Sequence, residues 1–214
     1  MRFERDIAEY YRKSVEDAFD TILEKGNDFH RHMASQILQS DLLVRVQPVS
    51  IVKASGVTGL IDADETNEKI ADGRLGFIEA LGEVYISIAE ETIDTGGQRG
   101  CEGTFVHEGR HAYDFAQTIE TLSNAAVNPL SIFDPTLYEL ELAAHKNAGE
   151  YMLQVASEDY LTEGLELLIL GRNGEGQCFL NDVGIGCRLR DNYGLTIDGN
   201  PGAFASQLLG LRQK

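Results

Sequence analysis

The chain has no tryptophan, only three cysteines and four prolines in 214 residues, and 18 lysines and arginines against 35 aspartates and glutamates. Three cysteines, Cys101, Cys178 and Cys187, are too few and too unevenly spaced for a disulfide framework, which fits a reducing compartment. In an oxidising one, Cys178 and Cys187 are placed to bridge a Gly-rich loop, with Cys101 left free. No CxxC pair exists, so a structural cysteine-zinc site is not indicated. The shortage of basic side chains leaves a formal charge of −17, which repels phosphate backbones and anionic lipid. Nucleic acid and membranes are therefore not expected partners; the acidity serves solubility or attracts basic substrates.

No apolar run approaches the roughly 20 residues needed to cross a bilayer. Residues 1–20 alternate charged and apolar side chains and lack the unbroken apolar core of a secretory signal. The expectation is a soluble protein, cytoplasmic or exported without a conventional signal peptide.

What remains is an ordinary globular composition, 43% hydrophobic and 25% charged, enough for a core without staples. The length suits one compact unit, read as an N-terminal helical segment over 1–40 and a main domain over 41–214. Phe3, Ile7, Tyr10, Tyr11, Val15, Ala18, Phe19, Ile22 and Leu23 recur at helical spacing, and Gly26 follows as a stop, predicting one long amphipathic helix. Asn27 to Ser40 reads as a second helix, with His30 and His32 on its surface. Leu42 to Lys53 is rich in β-branched residues and broken at Pro48. Gly73 to Glu79 and Glu83 to Glu90 read as a hairpin about Leu81-Gly82.

Asp94 to Gly103 holds four glycines and reads as a flexible entry to a helix over Thr104 to Leu122. Asp134-Pro135 reads as the start of another helix, running to about Ala156. A further helix is expected over Glu158 to Leu170, then an irregular Gly-rich tail with short strands at Gln177 to Leu180 and Gly186 to Leu189. This order predicts an α+β fold with a small mixed or antiparallel sheet.

One motif carries chemistry. His107-Glu108-Gly109-Arg110-His111 is an HExxH sequence inside a predicted helix, so both imidazoles face one way, a turn apart. That spacing lets two ring nitrogens reach one Zn²⁺ at about 2.0–2.1 Å, with Glu108 beside them to take and return the proton of a metal-activated water.

A catalytic zinc takes a third protein ligand. On the second helix, at about 100° per residue, Leu137, Leu140, Ala144, Ala148, Tyr151 and Val155 share an apolar stripe. Glu141 falls inside that stripe. Glu139 sits opposite, near Ala143, Lys146 and Glu150, as a solvated carboxylate. A carboxylate on an apolar face needs a partner: a metal ion satisfies Glu141, as would an Arg or Lys. His145, one turn on, is placed to replace Glu141 as ligand, to orient a ligand, to donate to a developing oxyanion, or simply to pack. Asp114, one turn after His111, is placed to accept the imidazole's other N–H, or to be a solvated helix residue. Cys101 is close enough in sequence to cap the metal as a thiolate or to be inert.

These residues resemble the gluzincin group of zincin metallopeptidases, in which the HExxH helix is followed by a helix supplying a glutamate ligand, commonly as ExxA. Glu141-Leu142-Ala143-Ala144 matches, thirty residues beyond His111. His107 to Asp114, HExxHAxD in form, is similar to the corresponding stretch of the anthrax lethal factor catalytic domain. The resemblance spans about residues 84 to 156. It implies a zincin-like fold, Zn²⁺ held by His107, His111 and Glu141, Glu108 as general base and acid, and a peptide or protein substrate paired against the strand Val84 to Ala89 as an edge. Many thermolysin-type relatives carry Asp where His145 stands. The Arg-x-x-Tyr pair of clostridial neurotoxin light chains is similar to Arg190-Asp-Asn-Tyr193, which makes Arg190 and Tyr193 candidates for stabilising the oxyanion, alongside Tyr138 and Tyr151. Within this reading the chain is a zinc peptidase, a host-targeting protease toxin or effector using the same site, or a non-catalytic metal-binding protein that retains the fold.

Overall fold

A computed structural model describes residues 1–73, 75–125 and 129–212. The first half runs β1 (Arg2–Phe3), α1 (Glu9–Lys25), α2 (Asp28–Gln39), β2 (Leu43–Gln47), α3 (Val49–Val52), β3 (Gly56–Leu60), α4 (Ala63–Ala71), α5 (Phe77–Gly82) and β4 (Val84–Ala89). The second runs α6 (Glu90–Ser123), α7 (Leu137–Val155), α8 (Glu158–Glu166), β5 (Leu170–Arg172), β6 (Cys178–Leu180), α9 (Asp182–Tyr193) and α10 (Ala205–Leu208). The class is α+β. Four strands form a mixed sheet in the order β1-β2-β4-β3, with β3 alone antiparallel to its neighbour, and β5 pairs with β6 in a separate antiparallel ribbon. Among the described residues no helix is long and apolar enough to cross a membrane.

The sheet overturns one expectation that bears on function. Val84–Ala89 is an interior strand, flanked by β2 and β3, and not an edge. Its Val84, Ile86 and Ile88 are fully buried, and Ser87 and Ala89 on the other face nearly so, as suits a strand covered on both sides. The edge on this side of the sheet is β3, Gly-Val-Thr-Gly-Leu, whose two glycines suppress any strand signal. Gly56 is there for closeness: a Cβ would stand 2.6 Å from Thr104 Cγ2 and 2.8 Å from Glu108 Cγ, both on α6.

Other departures have local causes. The first helix starts at Glu9, because Phe3 pairs with Val44 in the sheet and the terminal amine donates to the carbonyls of Leu38 and Ser40. The expected hairpin about Leu81-Gly82 is absent: Phe77–Gly82 is a helix that buries Ala80 and Leu81 completely, while Arg74, within the first proposed strand, lies outside the described residues. Asp94 to Gly103 is helical despite its glycines, because Ile93 and Cys101 are anchored in the core. The strain is confined to a kink at Gly97, with φ 59° and ψ −150°. α7 begins after Thr136, whose hydroxyl caps the Glu139 N–H while the Glu139 carboxylate returns to the Thr136 N–H. Asp134 instead accepts from the Ser206 N–H and hydroxyl, tying the C-terminal segment to the head of α7. The helix after Glu158 ends at Glu166, and Gly186 to Leu189 lies within α9, not in a strand.

One core gathers Val15, Phe19 and Ile22 of α1, Met33 and Ile37 of α2, the inner face of the sheet, and Phe105, Val106 and Ile119 of α6. Residues 1–40 thus have no core apart from the rest. A small second cluster, Ile169, Ile185, Leu189 and Leu195, seats α9.

Candidate metal centre

The 3.6-residue period of α6 puts His107 and His111 on one face, and α7 crosses that face with Glu141 directed between them. His107 Nε2 and His111 Nε2 are 3.2 Å apart. Glu141 Oε2 lies 3.6 Å from His107 Nε2, and Oε1 lies 3.4 Å from His111 Nε2. A tetrahedral ion with bonds of about 2.0–2.1 Å has ligand-to-ligand edges of about 3.3–3.4 Å, and one ligand atom from each of the three residues lies within 4.8 Å of the other two, so the trio is grouped closely enough to converge on one metal ion. Among the described residues this trio is the group arranged to hold one. Glu141 Oε2 is buried and has no hydrogen-bond partner, as a donor atom aimed at an ion would be. Glu139 stays outside, exposed and engaged in the helix cap.

Electrostatics bind the trio together. Burial alone would raise the Glu141 carboxyl's pKa, but contact with His107 and His111 outweighs it and holds the group well below the usual carboxylate range. Burial likewise works to lower the pKa of His111, and the neighbouring Glu141 and Glu108 raise it on balance. His145, only 4% exposed, is pushed down to about 3 by burial and then by repulsion from His107. Its Nε2 lies 3.9 Å from Glu141 Oε2 and makes no hydrogen bond, and its ring sits between those of His107 and Tyr193, at 4.9 and 6.0 Å. His145 therefore borders the trio and stays neutral.

Glu108, next along α6, is buried and turns toward the edge strand, where Oε2 accepts a 2.8 Å hydrogen bond from the Thr58 hydroxyl. Two adjoining cavities, of about 610 and 360 Å³, share His107, Glu108, Tyr193, Ala54 and Gly56, so the site lies at the middle of one cleft. β3 forms a wall of the larger cavity along its full length. That cavity is apolar, with Val57, Leu60, Phe115, Leu140 and Leu209 around it, whereas the smaller contains Arg99, Glu163 and Arg188.

The remaining candidates divide. Tyr193 borders both cavities, and burial raises its phenol's pKa, leaving it a donor at neutral pH. Arg190 is not brought to the cleft: it is exposed and its guanidinium rests on Asp191, 2.8 Å away. Arg188, two residues earlier, lines the smaller cavity instead. Ile185 and Leu189 pin α9 to its core, and at about 100° per residue Arg188 and Arg190 fall on opposite faces. Read as a strand, the same two residues would share a face, so the sequence carried no signal for choosing between them.

Tyr138 borders neither cavity, and Tyr151 is buried with its hydroxyl on Glu102. Asp114 is buried but pairs with Arg110 Nε at 2.9 Å, and neither its Oδ1 nor His111 Nδ1 has a partner, so it does not orient His111. Cys101 lies against the Ser14 carbonyl, its thiol pushed up to about 12 by burial, and is no metal ligand; Cys178 and Cys187 are unpaired.

His30, expected on the surface, is fully buried. Its Nδ1 accepts from the Asn27 N–H, which fixes the tautomer and leaves Nε2–H to donate to the Asn147 carbonyl at 3.0 Å. Asn147 Nδ2 in turn donates to the Val106 carbonyl at 2.9 Å. This chain links α2, α7 and α6 immediately behind His107. His32 is exposed, as read.

No protein-family model matches the chain, and no curated protein or solved structure matches it significantly.

Proposed function

We propose that the protein is a zinc-dependent metallopeptidase of the gluzincin kind, with a zincin-like fold. The observation that carries this reading is the convergence of His107, His111 and Glu141, with a ligand atom of each within 4.8 Å of the others, and the Glu108 carboxylate beside them in an open cleft. Three protein ligands leave the open position that a catalytic zinc keeps and a structural one does not. Zinc bound there supplies Lewis acidity and brings the pKa of a coordinated water to about 7.

The chain's own residues do the rest. β3 offers unpaired backbone groups along the cleft, and an extended peptide adds to it as a further strand, which brings the scissile bond between His107 and Tyr193. Glu108 takes the proton of the attacking water and delivers it to the leaving amine, while Thr58 holds the carboxylate in one rotamer. Tyr193 donates a hydrogen bond from its phenol to the carbonyl oxygen as charge grows there.

The test is Glu108→Gln, which preserves shape and removes the proton acceptor. In a peptide-library screen at equal zinc occupancy, the variant should lose about 10²–10⁴ in rate with unchanged zinc content. Equal cleavage of the same bond by both forms would remove Glu108 from its role, and absence of zinc from the purified wild type would remove the reading altogether.

A further inference from the structure

Resting on the peptidase reading, we propose that Arg188 is the recognition cation of the cleft, and that the substrate is a peptide with a carboxylate on the Arg188 side and a bulky apolar side chain on the Phe115 side.

The argument is a charge count within the cleft. Glu108 and Glu141 offset a divalent ion between them. Arg99 is already matched, its Nη1 lying 3.2 Å from Glu163 Oε2 and donating to the Asp159 carbonyl at 3.2 Å. Arg188 alone is unmatched: among the described residues it forms no ion pair, and its Nε is buried without a hydrogen-bond partner. A desolvated guanidinium nitrogen with nothing to donate to is costly, and in a chain of net charge −17 carboxylates are abundant. That none of them reaches Arg188 points to one arriving from outside. Guanidinium geometry suits a carboxylate, which it binds through paired N–H donors.

Position supports the assignment. Ile185 and Leu189 lock α9 in its core, so Arg188 is held on a rigid element at the cleft wall. On the other side of His107 and Glu108 the larger cavity is lined by no lysine or arginine and is bordered by Phe115, Leu140 and Leu209. The two halves therefore ask for opposite chemistry from the two flanks of one peptide. The carboxylate has two sources, an acidic side chain or a free C-terminus.

The test uses phosphinic pseudopeptides, which span both halves and are not cleaved, titrated calorimetrically into zinc-loaded protein. One flank carries Phe; the other carries Glu, Gln or Lys, each with an amidated or a free C-terminus, and both chain polarities are made. Wild type should bind the Glu compound, or the free-terminus compound, roughly 10- to 100-fold tighter than its neutral counterpart. Whichever shows the gain identifies the source. Arg188→Gln should erase the ratio, Arg188→Lys should retain part of it, and Arg188→Glu should turn it in favour of Lys. A ratio near one in wild type, or one that survives in Arg188→Gln, overturns the proposal. So does equal weakening of every compound in Arg188→Gln, which would place Arg188 on the central anion. Binding of the phosphinates without discrimination leaves the metal site standing while this inference falls; no binding of any of them to zinc-loaded protein defeats both.

Discussion

Thr58 Oγ1 lies 2.8 Å from Glu108 Oε2 and 3.1 Å from the Glu108 carbonyl oxygen, so the edge strand contacts the residue beside the His107–His111–Glu141 trio at both its side chain and its backbone. The contact exists because Gly56 lets β3 press against α6. Its single proton serves the carboxylate, the stronger acceptor.

Thr58→Val keeps the volume and removes the donor. A hydrogen bond to a charged group is worth about 1.5–3 kcal/mol, so turnover should fall roughly 10- to 100-fold while zinc stoichiometry is unchanged. Steady-state kinetics beside elemental analysis would check this; loss of zinc with turnover per bound ion preserved would show instead that Thr58 supports the metal trio.

The ligand assignment separates two glutamates on one helix. Glu141→Ala should weaken zinc more than about 100-fold, and His107→Ala with His111→Ala should abolish it. Glu139→Ala should leave zinc affinity intact and cost only the helix cap, about 1 kcal/mol of stability. Competition with a chromophoric chelator and urea unfolding read the two effects; the reverse ranking would refute the geometry.

His30 makes stability depend on pH. Burial lowers its pKa from the ordinary 6.5, so the folded protein favours the neutral ring. The sign follows: the contribution is complete above pH 6.5 and is lost as pH falls from there through the folded value. Below that upper bound, metal-free wild type should lose up to about 1.4 kcal/mol per pH unit more than His30→Gln, which keeps a donor for the Asn147 carbonyl. Urea midpoints at successive pH values would show the difference as a slope, and parallel curves would exclude it.

Asn147 connects the buried His30 to the turn of α6 that carries His107. Asn147→Ala removes the Val106 contact, and should cost about 1–3 kcal/mol of stability and roughly 10-fold in zinc affinity. Affinity measured well below the melting temperature distinguishes alignment of the helices from plain destabilisation, since the latter leaves the folded fraction's affinity untouched.

Local periodicity was enough to place His107 and His111 on one helical face, with Glu108 beside them, and to prefer Glu141 over Glu139, because both inferences depend on spacing within a single helix. The α+β class followed in the same way from the order of periodic segments. What the sequence could not reveal were relations between segments. Gly-Val-Thr-Gly-Leu has no strand signal, since its glycines answer to the approach of α6 and not to strand propensity; Thr58 was therefore invisible, and the edge was assigned to β4. Arg188 and Arg190 are equivalent until the rotation of α9 is set by Ile185 and Leu189. His30 looks like a surface residue until α7 covers it. Spacing along one helix is written in the residues themselves, whereas the choice of edge, face and buried partner is made only when helices and strands pack, because it depends on which neighbouring surface excludes water.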